Sequence, residues 1–183
     1  ASAAVGINFT TGTGGTNYLL QPGDTAGVVP QHFWNTATAF TNGNSFGQSL
    51  RDGYGLPTRL SYSFDFAVPA ENPGISVTNT DDTRLMKAFL ADFTGTPGFQ
   101  TNSVITISQV PFAIYDVLVY SDGDNAGADR VAQFRIGNQT NFLRDAAWTS
   151  FSGIYRRASG TTDVGTATSA GNFVRFNSIE SNQ

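Results

Sequence analysis

The chain has 183 residues, 39% of them hydrophobic and only 13% charged, with a net charge of -4 and a pI near 4.7. That acidic balance offers no basic footprint for a phosphate backbone or an anionic membrane surface, so nucleic acid is excluded as an expected partner. The apolar fraction is too high for a disordered chain, and the longest apolar runs, Val117 to Tyr120 among them, are a strand's length and no membrane span.

Cysteine is absent and histidine occurs once, at His32. Thiol catalysis, disulfides, thiolate sites and clustered imidazole ligands therefore drop out, and any metal is expected to be an oxygen-ligated one such as calcium. With so few charges, solubility falls to Thr, Ser, Asn and Gly, a composition suited to an extracellular β-protein of short strands and tight turns. No cationic leader precedes Ala1, so the chain is read as a mature or trimmed piece, and Ala1-Ser2 are left out of the fold argument.

In chain order, Val5 to Phe9 alternates apolar and polar residues and reads as a strand, followed by a glycine-rich loop, Thr11 to Gly15. No Gly-Lys-Ser/Thr follows that loop, so it reads as a flexible turn and not as a phosphate cradle. Leu19 to Asn42 carries turn residues, with Pro30 placed to start one helical turn and Trp34 expected to point inward. Leu60, Tyr62, Phe64, Phe66 and Val68 alternate with polar or small residues, the clearest period of two in the chain, closed by Asn72-Pro73-Gly74.

Asp82 to Phe93 fits both helical and alternating spacing and is assigned to a strand because its neighbours are strands. Val104 to Val110 is β-branched and ends at Pro111, while Tyr115 to Tyr120 is nearly continuously apolar, as in a central strand covered on both faces. These two are expected to pair through the short Pro-Phe-Ala connection. Val131 to Ile136 ends at a Gly137-Asn138 turn, and Trp148 to Arg156 and Phe173 to Ile179 complete the strands. The expected fold is all-β, an antiparallel two-sheet β-sandwich with at most one or two short helical turns, forming a single domain over residues 1–183.

Several of these stretches form a set: Asp24, Ala26 to Gln31 with Trp34-Asn35, Arg84-Leu85-Met86-Lys87, Val110-Pro111, Tyr115-Asp116-Val117 and Tyr120 to Asn125. In order and spacing, from Val5 to about Phe176, they resemble a poorly characterised module of large secreted bacterial proteins that degrade polysaccharides or sit at the cell surface. The resemblance implies a jelly-roll or galactose-binding-like sandwich and an extracellular location. Such modules continue past the strand corresponding to Phe173 to Ile179, so the resemblance also implies a missing final strand and an open sheet edge for self-association.

Among candidate sites, the loop Ser121 to Asp129 concentrates oxygen donors. Asp122, Asp124, Asn125 and Asp129 are candidate calcium ligands, because a hard cation takes about six to eight oxygens and alternating Asp residues in a turn converge several. The alternative is that these side chains bond their own backbone in a tight loop. The loop is no EF-hand: Asp122, Asp124 and Gly127 fall correctly, but Ala126 and Gln133 occupy ligand positions. Asp81 with Asp82 and Asp122 with Asp124 are the carboxylate pairs a glycosidase would need, without a recognisable signature. His32 lacks a serine in a Gly-x-Ser-x-Gly elbow and reads as a polar residue beside Trp34.

Most of the Phe residues are assigned to the core, so ligand contact is expected from loop aromatics. Tyr54, flanked by glycines beside Arg51 and Asp52, forms one candidate platform; Trp148 and Tyr155, near Arg156, form a second. The function these features favour is a noncatalytic carbohydrate-binding module, secreted and attached to a polysaccharide or cell-surface glycan. The competing readings are a structural or adhesive module joined through strand edges and, third, a hydrolase.

Overall fold

The structure, a computed structural model, describes residues 3–10, 19–37, 45–47, 49–65, 67–72, 74–75, 80–92, 103–123, 127, 129–159 and 170–181. The glycine-rich turn expected over Thr11 to Gly15, Phe66 within the alternating run from Leu60 to Val68, and Phe93 at the end of the run from Asp82 lie outside these residues. Among the described residues the fold is mostly strand with one short helix, and its ladders are antiparallel apart from one short parallel pair. The chain divides into two compact units, residues 1–71 with 76–111 and residues 72–75 with 112–183. No described helix is long and apolar enough to cross a membrane.

In the first unit, β1 (Ile7–Phe9) runs parallel to β2 (Asn35–Ala37), and β4 (Ser61–Asp65) lies between β3 (Ser45–Gly47) and β7 (Val104–Ser108). The alternation of Leu60, Tyr62 and Phe64 places all three in the core with Ala37 and Leu50. Phe9 meets Tyr62 and Phe64 edge-on at 6.0 and 5.4 Å between ring centroids. Burying each such side chain stabilises the fold by about 1.5–3 kcal/mol, so this cluster anchors the unit. The alternating run does not stay in one ladder. After residue 66 it resumes as β5 (Ala67–Glu71), which pairs with β6 (Ala88–Asp92), so one sequence period feeds two sheets.

The strand expected over Asp82 to Phe93 is corrected. Asp81–Lys87 forms helix α1, and only from Ala88 does the chain become β6. Local chemistry decides this: the Thr80 hydroxyl accepts from the Thr83 N–H as an N-cap, Asp81 and Asp82 occupy the first turn, and Arg84 and Lys87 occupy the last. The expected helical turn after Pro30 is absent; residues 26–31 form a loop closed by a bridge between Ala26 and Gln31. That loop is clasped to α1, because Asp81 accepts from Thr25 N–H and Asp82 from Gly27 N–H, each at 2.8 Å, and Arg84 pairs with Asp24. Trp34 is half-buried and packs over Gly6.

In the second unit, β9 (Arg130–Ile136) and β10 (Gln139–Asp145) form a hairpin across the two-residue turn Gly137-Asn138, where Gly137 takes φ 54°. A left-handed first residue matches the right-handed twist of the flanking strands, which is why glycine stands there. β8 (Ile114–Tyr120) pairs with β11 (Phe173–Glu180), not with β7, so the expected hairpin through Pro-Phe-Ala is corrected. β8 is covered on both faces only over its C-terminal half: Tyr115, Val117 and Val119 face a core of Leu143, Ala158, Val174, Phe176 and Ile179, while on the other face Ile114 and Asp116 are exposed and Leu118 and Tyr120 are half-buried. Trp148 to Arg156 is irregular and not a strand. Its backbone is satisfied sideways, the Asn172 amide accepting from Arg156 N–H at 2.8 Å and donating to Ile154 O at 3.0 Å.

Among the described glycines Gly6 is the most tightly enclosed: a Cβ there would lie 1.9 Å from Gln31 Nε2 and 2.5 Å from the Trp34 ring. Around Gly23 nothing lies within 4 Å of such an atom. Gly6→Ala is therefore expected to destabilise by about 1–3 kcal/mol through overpacking, and Gly23→Ala by less than about 0.5 kcal/mol. Urea midpoints of the two variants check this.

Candidate functional site

The second unit carries the most exposed large apolar side chain described, Trp148, at 78% exposure. It follows β10 in the turn Ala146-Ala147-Trp148-Thr149, closed by Thr149 N–H donating to Ala146 O at 3.2 Å and by the Thr149 hydroxyl donating to the same oxygen at 2.6 Å. Trp148 has φ 60°, a left-handed conformation that turns usually reserve for Gly or Asn. For an L-residue it costs about 1–2 kcal/mol. Asp129 accepts from Ala147 N–H at 2.8 Å through Oδ1 and pairs with Arg144 at 2.7 Å through Oδ2. These two donors, Ala147 first, hold the Asp129 carboxyl below the usual carboxylate range. Gly127, also left-handed at φ 95°, lies under the indole edge, with 3.8 Å between a Cβ position there and Trp148 Cζ2.

Two carboxylates, those of Asp122 and Asp145, form a floor that is tied to the flanks of this turn. Asp122 is buried; its Oδ1 accepts from Asn72 Nδ2 at 3.4 Å, and its carboxyl also takes a bond from Phe151 N–H. Asn72 Nδ2 donates to Gly123 O at 2.9 Å as well, and Gly123 N–H donates to Asp145 Oδ2 at 3.0 Å. Burial first, and the Asp145 charge second, push Asp122 up to about 7 against the Phe151 bond. Asp145 is also raised, chiefly by burial, with Gly123 N–H and Arg130 opposing. The floor grips residues 145 and 151, the two flanks of the turn that displays Trp148.

The other expected site residues separate. Tyr155 is turned inward and joins Tyr120, Phe151 and Phe173 at centroid distances of 5.4, 5.0 and 6.3 Å. Arg156 is exposed beside it. In the first unit, Tyr54 and Leu56 are 59% and 61% exposed on the loop from Arg51 to Pro57. Asp52 is buried under that loop and accepts from the N–H groups of Tyr54 and Leu56, each at 2.9 Å, so it shapes the loop from inside. Arg51 donates to Gly55 O at 2.8 Å. Asp81 and Asp82 serve the α1 clasp, and His32 Nδ1 lies 3.1 Å from Thr25 Oγ1.

For a cation, both Asp129 oxygens are already engaged, and Asp122 would give up bonds from Asn72 and Phe151. Among the described residues no three His, Cys, Asp or Glu side chains converge on a metal position; Asp124 and Asn125 lie outside them. Sequence reasoning missed Asp145 and Asn72, the partners that complete the floor. Asn72 had a signal in the Asn-Pro-Gly turn, whereas Asp145 ends a strand that alternation alone did not mark.

The chain matches no protein-family model, no curated protein and no solved structure.

Because the folded Asp122 carboxyl titrates near 7 and an unfolded one near 4, the folded chain keeps a proton between these values that the unfolded chain has lost. Stability is thus expected to fall as pH rises from about 4 to about 7, then level off, by at most about 4 kcal/mol. Asp122→Asn removes this slope, so its urea midpoint, compared with the parent at pH 4.5 and pH 8, rises relative to the parent at the higher pH.

Proposed function

We propose that the chain is a noncatalytic extracellular carbohydrate-binding module, a two-sheet β-sandwich of the jelly-roll kind that holds a polysaccharide or cell-surface glycan through exposed aromatic side chains. The observation that carries this reading is Trp148, an indole 78% exposed and held in a left-handed turn. An exposed indole forgoes packing contacts and a left-handed backbone raises conformational energy, so both features point to a flat surface kept ready for a partner. A pyranose ring offers one apolar face for that indole and a rim of hydroxyls for nearby polar groups. Tyr54, with Arg51 near it, offers a second surface of the same kind in the first unit. The resemblance to secreted polysaccharide-associated modules agrees with this assignment.

A second reading, a structural or adhesive module joined through strand edges, is favoured by β7. Among the described residues β7 pairs only with β4, and Val104, Ile105 and Ile107 are 52%, 44% and 41% exposed. Its sequence, Val-Ile-Thr-Ile-Ser, carries none of the charges or prolines that blunt an edge.

In affinity gels containing plant, algal or microbial polysaccharides, Trp148→Ala is expected to lose most retention at unchanged fold; no retention of the parent on any of them removes the carbohydrate reading. Trp148→Gly should lose retention equally yet be about 1 kcal/mol more stable than Trp148→Ala, because glycine takes φ 60° without the steric penalty. Light scattering without added sugar separates the second reading, which expects regular polymers that Ile107→Lys disperses.

A further inference from the structure

Two turns of the second unit use the same device. At the bulge in β11, Ser178 has φ 54°, its N–H donates to Asp116 at 2.9 Å, and Asp116 is paired with Arg175 at 2.5 Å. At the end of β10, Trp148 has φ 60°, the N–H just before it donates to Asp129, and Asp129 is paired with Arg144. In both places an arginine fixes a carboxylate, the carboxylate holds one backbone N–H, and a non-glycine residue stays left-handed. At Ser178 the result is a bend in a strand. At Trp148 the result is an aromatic surface.

We propose that Asp129, backed by Arg144, is a positioning residue that sets Trp148 in its outward pose before any ligand arrives, and that it acts as an anchor for the backbone and not as a cation ligand. The affinity consequence rests on the carbohydrate reading; the pose itself does not. Asp129 Oδ1 reaches Ala147 N–H and Oδ2 reaches Arg144, so the carboxylate spans from strand to turn with both oxygens in use. Without it, Ala147 N–H turns to water, and only the two Thr149 bonds to Ala146 O still oppose relaxation of Trp148 toward an ordinary negative φ. A relaxed turn must be reordered on binding, and ordering one large side chain costs about 3- to 10-fold in affinity.

Fluorotryptophan labelling provides the test, with Trp148 assigned as the fluorine resonance missing from Trp148→Phe and Trp34 left as an internal reference. In Asp129→Ala the Trp148 resonance is expected to sharpen and move toward that of free fluorotryptophan, with the Trp34 resonance unmoved. Polysaccharide affinity should fall about 3- to 10-fold. Asp129→Asn keeps an oxygen for Ala147 N–H and should retain more of the parent signal, a graded rescue that a merely destabilised unit would not give. A Trp148 resonance unchanged in Asp129→Ala overturns the proposal. So does a calcium-induced shift of that resonance in the parent that Asp129→Ala abolishes, since Asp129 would then be a metal ligand. If the parent binds no polysaccharide, the carbohydrate reading falls and the resonances still decide the role of Asp129.

Discussion

A backbone N–H taken out of water needs an acceptor, and in the irregular segments of this chain Asp and Asn side chains supply acceptors beside the backbone carbonyls. Asn35 bonds Gly6 O and Arg51 O through its amide nitrogen while accepting Arg51 N–H. Asp52 fills the loop that shows Tyr54, Asn72 and Asp145 tie down Gly74 and Gly123, and Asn172 replaces a missing strand partner for residues 154 and 156. Each such bond is worth about 0.5–1.5 kcal/mol net, and where the backbone group is shielded from water, as at Tyr54 and Gly123, its loss costs about 1–3 kcal/mol. The loops keep their shapes through these bonds, with no disulfide to help.

The same constraint governs the charges. Each carboxylate in a described ion pair, those of Asp24, Asp81, Asp116 and Asp129, also accepts a backbone N–H, from Gln21, Thr25, Ser178 and Ala147. An exposed ion pair alone contributes about 0–1 kcal/mol. Coupled to a backbone bond, the arginine does something else, which is to keep the carboxylate pointed at one amide. In a chain with only 13% charged residues, the paired charges thereby set chain geometry.

This is also why the fold is more legible in the sequence than the site. Alternation in Leu60-Tyr62-Phe64 and in β9 reports burial directly, since residues two apart share a face, and those positions are where the cores lie. Pairing partners are not legible in the same way. The period of two says that β7 and β8 are strands, yet nothing in it says that β7 joins β4 and β8 joins β11. Helix α1 is hidden because its capping signal, Thr80-Asp81-Asp82, is short and because Met86, Ala88 and Leu90 alternate from its last turn into β6. Loop carboxylates are the most ambiguous, because the oxygen that suits a cation suits an amide N–H equally. Asp129 and Asp52 both went to the amide.

Aromatic exposure follows from how each loop solves its own hydrogen bonds. Tyr155 lies in the segment clamped by Asn172, which draws it against Tyr120, Phe151 and Phe173. Trp148 lies in a turn whose bonds all run through its neighbours, Ala146, Ala147 and Thr149, so its side chain is left pointing away. The first unit has a related arrangement. Phe33, at φ 54°, packs its ring against Gly55, at φ 82°, and the loop above it exposes Tyr54 and Leu56. A glycine without a Cβ lets an aromatic ring approach the backbone closely, and that contact supports the loop from below. In both units the bonded backbone decides the fate of the aromatic ring, which is why residue type and spacing alone could nominate Tyr155 and Trp148 together while only one of them faces solvent.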